Sequence, residues 1–183
     1  MALELFYHPF SSYSWKVLIP LYEAGTPFEP KVIGNPATEY LDMHYPAATP
    51  MLPADPAERL EVRLLDRFFD NYVHAPMQAH VGDRIRQPEG RDPQGVKAAG
   101  AMLDKSYAWL DQRMAGREWA VGDNFTLADC AAAPPLFYGS MVVPFEETQK
   151  NLAAYFERLK ARPSFARVRN EAEPYFQMVP KES

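Results

Sequence analysis

Cysteine is almost absent from this chain of 183 residues, because Cys130 is its single example. One cysteine excludes an intramolecular disulfide framework, and the lack of a C-x-x-C pair excludes dithiol redox chemistry. We expect Cys130 to be a small residue of the core. No two of the four histidines stand three or four residues apart, so we predict no metal site. The histidines are His8, His44, His74 and His80.

The fingerprints of nucleotide and acyl-transfer chemistry are also missing. There is no G-x-G-x-x-G, no P-loop and no G-x-S-x-G, so dinucleotide, nucleoside triphosphate and ordinary hydrolase functions lack their motifs. The 19 Lys and Arg against 24 Asp and Glu give a formal net charge of −5. This acidic balance argues against nucleic acid or an anionic membrane as the main partner. Because no signal peptide is visible at the start, we expect a cytoplasmic protein.

Long apolar runs are limited to one candidate, the stretch 125–145. Its single charge, Asp129, leaves it apolar enough to suggest a membrane span. It also contains Pro134, Pro135 and Pro144, and it begins with a helix-capping signature. We therefore predict a buried, kinked core helix and no transmembrane segment.

The chain does contain enough apolar material for a substantial core, with 47% hydrophobic and 13% aromatic residues, as in globular proteins. Residues 2–8 are typical of a strand, residues 12–24 of a helix ended by Gly25, and residues 27–33 of a second short strand. Together they predict a β-α-β unit. Pro30 confines the second strand to an edge or to a strand start.

From residue 55 onwards the pattern is helical. Asp55 as N-cap and Pro56 at the first helical position begin a long helix, whose apolar residues predict one wide buried stripe. A second long helix, a third helix capped by Thr126, and two shorter helices at 148–162 and from Pro163 follow. The residues expected inside are Leu60, Val62, Leu64, Leu65, Phe68, Phe69 and Tyr72 on the first helix, and Val96, Leu103, Tyr107, Leu110 and Met114 on the second.

Hydroxyl side chains crowd the start of the first predicted helix, at Ser11, Ser12, Tyr13 and Ser14. The first N–H groups of a helix lack intrahelical partners, and the macrodipole adds about half a positive charge there. Such a place suits an anion, including a thiolate. Serines before a helix are, however, most often simple caps. The residues alone leave both interpretations open.

Four motifs, in this order along the chain, resemble those of one family. The segment 11–17 (SSYSWKV) resembles the S-S-C-x-W-R-V signature of the zeta class, with Tyr13 at the cysteine position. The segments 52–56, 125–129 and 152–168 resemble the family's interdomain linker, the capping motif of its core helix and its C-terminal helices. Over nearly its whole length the chain is therefore similar to the cytosolic glutathione S-transferases.

This resemblance implies an α/β plus all-α fold. An incomplete thioredoxin-like, glutathione-binding domain would occupy 1–46, a linker 47–54, and an all-helical substrate-binding domain 55–183. It implies a cytoplasmic detoxification transferase that activates the thiol of its co-substrate glutathione as a thiolate for attack on an electrophilic apolar substrate. A homodimer without a metal is implied as well. The likeness to the zeta class is too local to imply that class's isomerase reaction.

By the same resemblance, Ser11 takes the position of the family's catalytic hydroxyl. Its O–H would donate to the glutathione sulfur, contributing about 1.5–3 kcal/mol, and the helix end would add about 0.3–1 kcal/mol. At about 1.36 kcal/mol per unit, these move the thiol pKa from about 8.5 to about 6–7. Tyr7 is the rival, because other classes use a tyrosine at the end of the first strand. We expect Ser11, Ser12 and Tyr13 to bind glutathione, and His8, Phe10, Phe69, Tyr72 and Val73 to line a hydrophobic substrate pocket.

The chain departs from the family after Ile33. Only about a dozen residues separate Ile33 from Tyr45, fewer than the roughly 30 of a β-α-β unit, and no Val-Pro or Glu-Ser pair is found before Asp55. Either a segment is missing from the printed sequence, or the protein lacks it. The intact helix-like stretch 40–45 and the undisturbed linker favour the first explanation, and an intact mass above 20.8 kDa would support it. A true loss would favour a non-catalytic, glutathione-transferase-like binding or scaffold protein.

Overall fold

A computed structural model describes residues 3–7, 9, 11–31 and 50–180. Strand β1 (Leu3–Phe6), helix α1 (Ser12–Glu23) and strand β2 (Phe28–Lys31) form the predicted β-α-β unit. The two strands are parallel, with Leu3 opposite Phe28. Gly25 has φ 60°, a left-handed conformation that favours glycine, which confirms it as the stop after α1.

Several sequence predictions lie outside the described residues. They are the end of the second strand at 32–33, the helix-like stretch 40–45, the first part of the linker, and the question of a missing segment after Ile33. The described end of the linker leads directly into the helical part of the chain.

Helix α2 (Pro56–Phe68) begins at the predicted cap, where the Asp55 carboxylate accepts hydrogen bonds from the N–H groups of Ala57 and Glu58 at 3.0 and 2.9 Å. A π-helical segment then leads into helix α3. The remaining elements confirm the predicted all-helical arrangement. They are the π-helical segment Phe69–His74, α3 (Ala75–Arg84), α4 (Pro93–Met114), α5 (Leu127–Val142), α6 (Lys150–Ala161) and α7 (Pro163–Ala172), with 3-10 turns at Pro88–Gly90 and Glu173–Met178.

The prediction of one buried stripe on a long helix is wrong in part. Leu60, Leu64 and Tyr72 are 69%, 66% and 47% exposed. Two apolar rows run along this region at helical spacing, and the sequence pattern does not distinguish the row that faces the core. The π-helical segment also divides the expected single helix, since its wider turn changes the direction of the residues that follow. The buried row consists of Val62, Leu65, Phe69 and Val73.

Asp129 holds the start of the core helix α5. Its carboxylate accepts hydrogen bonds from the Thr126 N–H at 2.8 Å, the Ala120 N–H at 2.9 Å and the Tyr155 hydroxyl at 2.7 Å. The predicted capping box is therefore confirmed, and the carboxylate also joins α5 to α6 and to the preceding turn. Burial raises the pKa of Asp129, although these hydrogen bonds oppose the rise.

Helix α5 is buried along most of its length and continues through Pro134 and Pro135. Cys130 lies fully inside the core, as predicted. In the part of the chain with described coordinates, no helix is long and apolar enough to cross a membrane.

The β-α-β unit is attached to the helical part through α1, which packs against α5 and α7. Trp15 is completely buried and lies 5.4, 5.0 and 5.8 Å from the ring centroids of Phe137, Tyr138 and Phe165. Its indole N–H donates to the Pro9 carbonyl at 2.5 Å. This aromatic contact fixes the start of α1 against the helical part, next to the candidate site.

Candidate functional site

Ser11 caps helix α1. Its backbone is extended, with φ −78° and ψ 121°, and its Oγ accepts from the Ser14 N–H at 3.4 Å. No acidic side chain stands in the first turn of α1, so the positive end of the helix dipole keeps its attraction for an anion. Within the described residues the Ser11 hydroxyl proton has no acceptor, since the cap uses only the oxygen. The capping role is real and leaves a donor available.

A cavity of about 230 Å³ opens beside these hydroxyls. Ser11, Ser12 and Tyr13 form one end of it, and Gln78 adds a polar amide. The other walls are apolar and come from α3, from α5 and from the last described residues. These walls are Met77, Val81, Tyr138, Val179 and Pro180.

His74 lies against the start of α1 from the π-helical segment. Its ring is 2% exposed, and its Nε2 lies 3.3 Å from the Ser12 Oγ and 3.2 Å from the Gln78 Nε2. The exposed Tyr13 ring covers the imidazole, with ring centroids 4.3 Å apart. A residue 62 positions away therefore controls the surroundings of Ser12.

Burial lowers the pKa of His74 to about 4, and nearby Lys16 adds to the effect while Asp70 opposes it. Lys16 is itself bound to two carboxylates, at 2.6 Å to Asp66 and 2.8 Å to Asp70. At neutral pH the imidazole is uncharged, so His74 is no counter-ion for a thiolate. The anion-attracting features at this end are the α1 dipole and the hydroxyls.

Tyr7, the rival of Ser11, opens into a different cavity. This space of about 390 Å³ is bordered by Tyr22, Phe28, Arg167 and Glu171. Burial and the neighbouring Glu171 raise the pKa of Tyr7, which keeps its hydroxyl protonated. Because Tyr7 and Ser11 line separate cavities, one bound sulfur would meet one of them and not both.

The other residues that were predicted to line the hydrophobic substrate pocket do not border either of these two cavities where they are described. Phe69 and Val73 are fully buried and belong to the core row of the π-helical segment, so an open pocket does not reach them in this structure. Tyr72 lies half-exposed on the outer row, with its ring centroid 5.3 Å from that of Phe68. His8 and Phe10 lie outside the described residues.

Sequence reasoning missed the apolar walls of the smaller cavity and the role of His74. Met77 and Val81 are four residues apart, a spacing that places both on one face of α3, but the sequence does not say what that face meets. Val179 and Pro180 come to the cavity only through the packing of the chain end. Among the residues that the structure describes, no group of three or more His, Cys, Asp or Glu is arranged to hold a metal ion.

The fold defines a class of protein: a thioredoxin-like N-terminal part followed by an all-helical domain. The family model for the glutathione S-transferase C-terminal domain matches residues 68–163, more than half of the chain. The chain belongs to the glutathione S-transferase family.

Individual relatives show how varied this family is. The chain is 30% identical to FtsZ-localized protein A of Caulobacter vibrioides over 125 residues, 63% of this chain and 54% of that protein. It is 30% identical to a stringent starvation protein A homolog of Coxiella burnetii over 151 residues, 80% of this chain and 65% of that protein. The chain thus spans between half and two thirds of the length of these relatives.

A solved structure extends the likeness to the whole chain. The glutathione S-transferase of Methylobacterium radiotolerans, in complex with glutathione sulfonate, matches with a TM-score of 0.77 and 25% identity over 100% of this chain and 97% of that one.

Proposed function

We propose that this protein is a glutathione transferase that stabilises the glutathione thiolate through the Ser11 hydroxyl. The observation that carries the proposal is the Ser11 hydroxyl at the start of α1, which lies beside an open cavity and has no acceptor among the described residues. The M. radiotolerans structure is a complex with glutathione sulfonate, which supports a glutathione ligand here. Ser12 and Tyr13 complete the proposed thiol end of the site.

The chemistry proposed for Ser11 is donation, because a serine hydroxyl does not act as a base at neutral pH. Thiol ionisation releases a proton to solvent, and the Ser11 O–H and the helix end favour the resulting anion. Their combined contribution of about 2–4 kcal/mol lowers the thiol pKa by about 1.5–3 units. The thiolate then forms a carbon–sulfur bond with the electrophile, which loses its leaving group or takes the electron pair.

The electrophile is proposed to be small and apolar. Its cavity of about 230 Å³ lies below the roughly 300–1,000 Å³ of typical ligand pockets. Met77, Val81 and Tyr138 offer it apolar surface, while the hydroxyls lie at one end only. We therefore propose that the reacting carbon lies near Ser11 and that the apolar remainder points toward α3 and α5.

A homodimer is proposed on the basis of the exposed row of α2. Leu60 and Leu64 are largely exposed, and Phe68 continues this row with its ring centroid 4.5 Å from that of the half-exposed Trp109. A contiguous apolar surface of this kind is typical of a protein–protein interface. We also propose that the domains divide at residues 1–46 and 55–183. We further propose that the protein is cytoplasmic and has a detoxifying role.

The second candidate function is a non-catalytic binding or scaffold role. The likeness to FtsZ-localized protein A favours it, as does the lack of Val-Pro and Glu-Ser pairs before Asp55, where the family holds the glutathione backbone. Calorimetric titration with glutathione separates the two candidates. Binding in the range of the family supports the enzyme, and no binding supports the scaffold.

Two substitutions test the assignment to Ser11. Ser11→Ala should raise the thiol pKa of bound glutathione by about 1–2 units. The pKa is measured by following the ultraviolet absorbance of the thiolate against pH. Tyr7→Phe should leave it unchanged, since Tyr7 lies in the other cavity. Ser140→Ala, a helix serine outside both cavities, is the matched control. An unchanged pKa in Ser11→Ala, or a raised one in Tyr7→Phe, would show that the assignment is wrong.

A further inference from the structure

The Ser12 side chain is the part of the thiol site that the proposed function leaves without a role. It stands next to Ser11 at the first position of α1, it is 6% exposed, and it borders the same cavity. A second hydroxyl here could donate to a bound sulfur as Ser11 does, or it could present only lone pairs. Which of these it does depends on His74.

The direction of the Ser12 hydrogen bond follows from Gln78. The amide nitrogen of Gln78 is only a donor, and it lies 3.2 Å from the His74 Nε2. That ring nitrogen must therefore be the unprotonated one, with the ring proton on Nδ1. The Ser12 hydroxyl, 3.3 Å from the same nitrogen, can then only be a second donor. Both distances are long, as expected when two donors share one lone pair.

The surroundings of His74 keep this arrangement in place. The Tyr13 ring covers the imidazole at 4.3 Å and shields it from water. The charged neighbours Asp70 and Lys16 are bound to each other at 2.8 Å, so each is largely neutralised by its partner. An uncharged, buried acceptor that solvent donors do not reach keeps the Ser12 proton directed toward His74.

We infer that His74 fixes the direction of the Ser12 hydroxyl, so that of these two serines Ser12 offers the cavity an acceptor and Ser11 offers a donor. The inference rests on the proposed function and sharpens it. A lone pair facing the sulfur favours the thiol, and a donor favours the thiolate. His74 is therefore a positioning residue that limits how far the thiol pKa falls, and Ser12 prefers an N–H or S–H group of the bound molecule.

The test uses His74→Phe, which keeps a ring beneath Tyr13 and removes the acceptor. The freed Ser12 proton becomes a second donor, so the pKa of bound glutathione should fall by about one further unit, equivalent to a tenfold larger thiolate fraction below that pKa. Adding Ser12→Ala should cancel the fall. Ser140→Ala, outside both cavities, is the control and should leave the thiol pKa where it is. A raised or unchanged pKa in His74→Phe would overturn the inference.

A glutathione-independent measurement keeps the two proposals separable. NMR of the histidine ring nitrogens should find the His74 proton on Nδ1, with an Nε2 signal that changes in Ser12→Ala. A proton on Nε2 would overturn the inference, whatever the protein binds. Absence of glutathione binding to the unmodified protein would instead defeat the proposed function and leave the Ser12–His74 result standing.

Discussion

The buried imidazole of His74 should make the stability of the protein depend on pH in a specific window. Burial holds its pKa at about 4 in the folded protein, against 6.5 for an ordinary histidine. The folded state thus binds fewer protons than the unfolded state between these two values. By linkage, the contribution of His74 is fully present above pH 6.5 and is lost as the pH falls toward 4.

The magnitude follows from the width of the window. The lowered pKa corresponds to about 3 kcal/mol, at about 1.36 kcal/mol per unit. Such a loss is a large fraction of the about 5–15 kcal/mol that stabilises a typical domain. Asp129 works in the opposite direction, because burial raises its pKa above the ordinary 3.8. Its contribution to the free energy of unfolding is therefore greatest below pH 3.8 and decreases as the pH rises through the raised pKa of Asp129.

Urea unfolding at a series of pH values between 4 and 7 tests this reasoning. The unmodified protein should lose about 3 kcal/mol more than His74→Phe across the window, while both retain the slope from Asp129. Ser140→Ala, outside both cavities, should keep the full pH dependence. Equal slopes for the unmodified protein and His74→Phe would refute the assignment of the acid sensitivity to this ring.

Other substitutions test the packing and the proposed assembly. Leu65→Ala, at a 1% exposed position, should lower the free energy of unfolding in urea by about 2–5 kcal/mol. Leu64→Ala, at the neighbouring 66% exposed position, should change it by less than about 0.5 kcal/mol. Equal losses would contradict the assignment of the two apolar rows. Leu64→Glu should shift sedimentation toward the monomer while leaving the melting temperature of the monomer nearly unchanged, and an unaltered dimer would exclude this face. Asp129→Ala removes the acceptor of four hydrogen bonds, from the Ala120 N–H, the Tyr155 hydroxyl and both the N–H and the hydroxyl of Thr126, and should cost about 3–5 kcal/mol. The exposed Asp123→Ala should cost less than about 0.5 kcal/mol.

The features that could be predicted from the sequence are those fixed by neighbouring residues. Three such features are present in the structure, and each depends on a few adjacent positions. They are the helix N-cap at Asp55, the left-handed glycine after α1 at Gly25, and the capping box of Thr126 and Asp129. The β-α-β unit followed by helices was likewise visible in the order of the motifs, since periodicity and capping signals agree there.

The features that could not be predicted depend on contacts between distant segments. Leu60 and Leu65 satisfy helical periodicity equally well, and only the packing of α2 against α5 decides which of them is buried. The contact of His74 with Ser12 joins residues 62 positions apart through a π-helical turn that no local motif announces. Ser11 could be proposed from its motif, but the cavity beside it depends on the packing of α3 and α5 and could not.

The buried indole of Trp15 has a consequence for how the protein unfolds. Because this ring from the β-α-β unit fills a space between Phe137, Tyr138 and Phe165, the small unit behaves toward the helical part as a bound ligand does. Binding of this kind stabilises both partners by mass action. The two parts should therefore melt in a single transition. In a helical fragment produced alone, the aromatic surface that Trp15 covers would be exposed, and a peptide containing α1 could bind there.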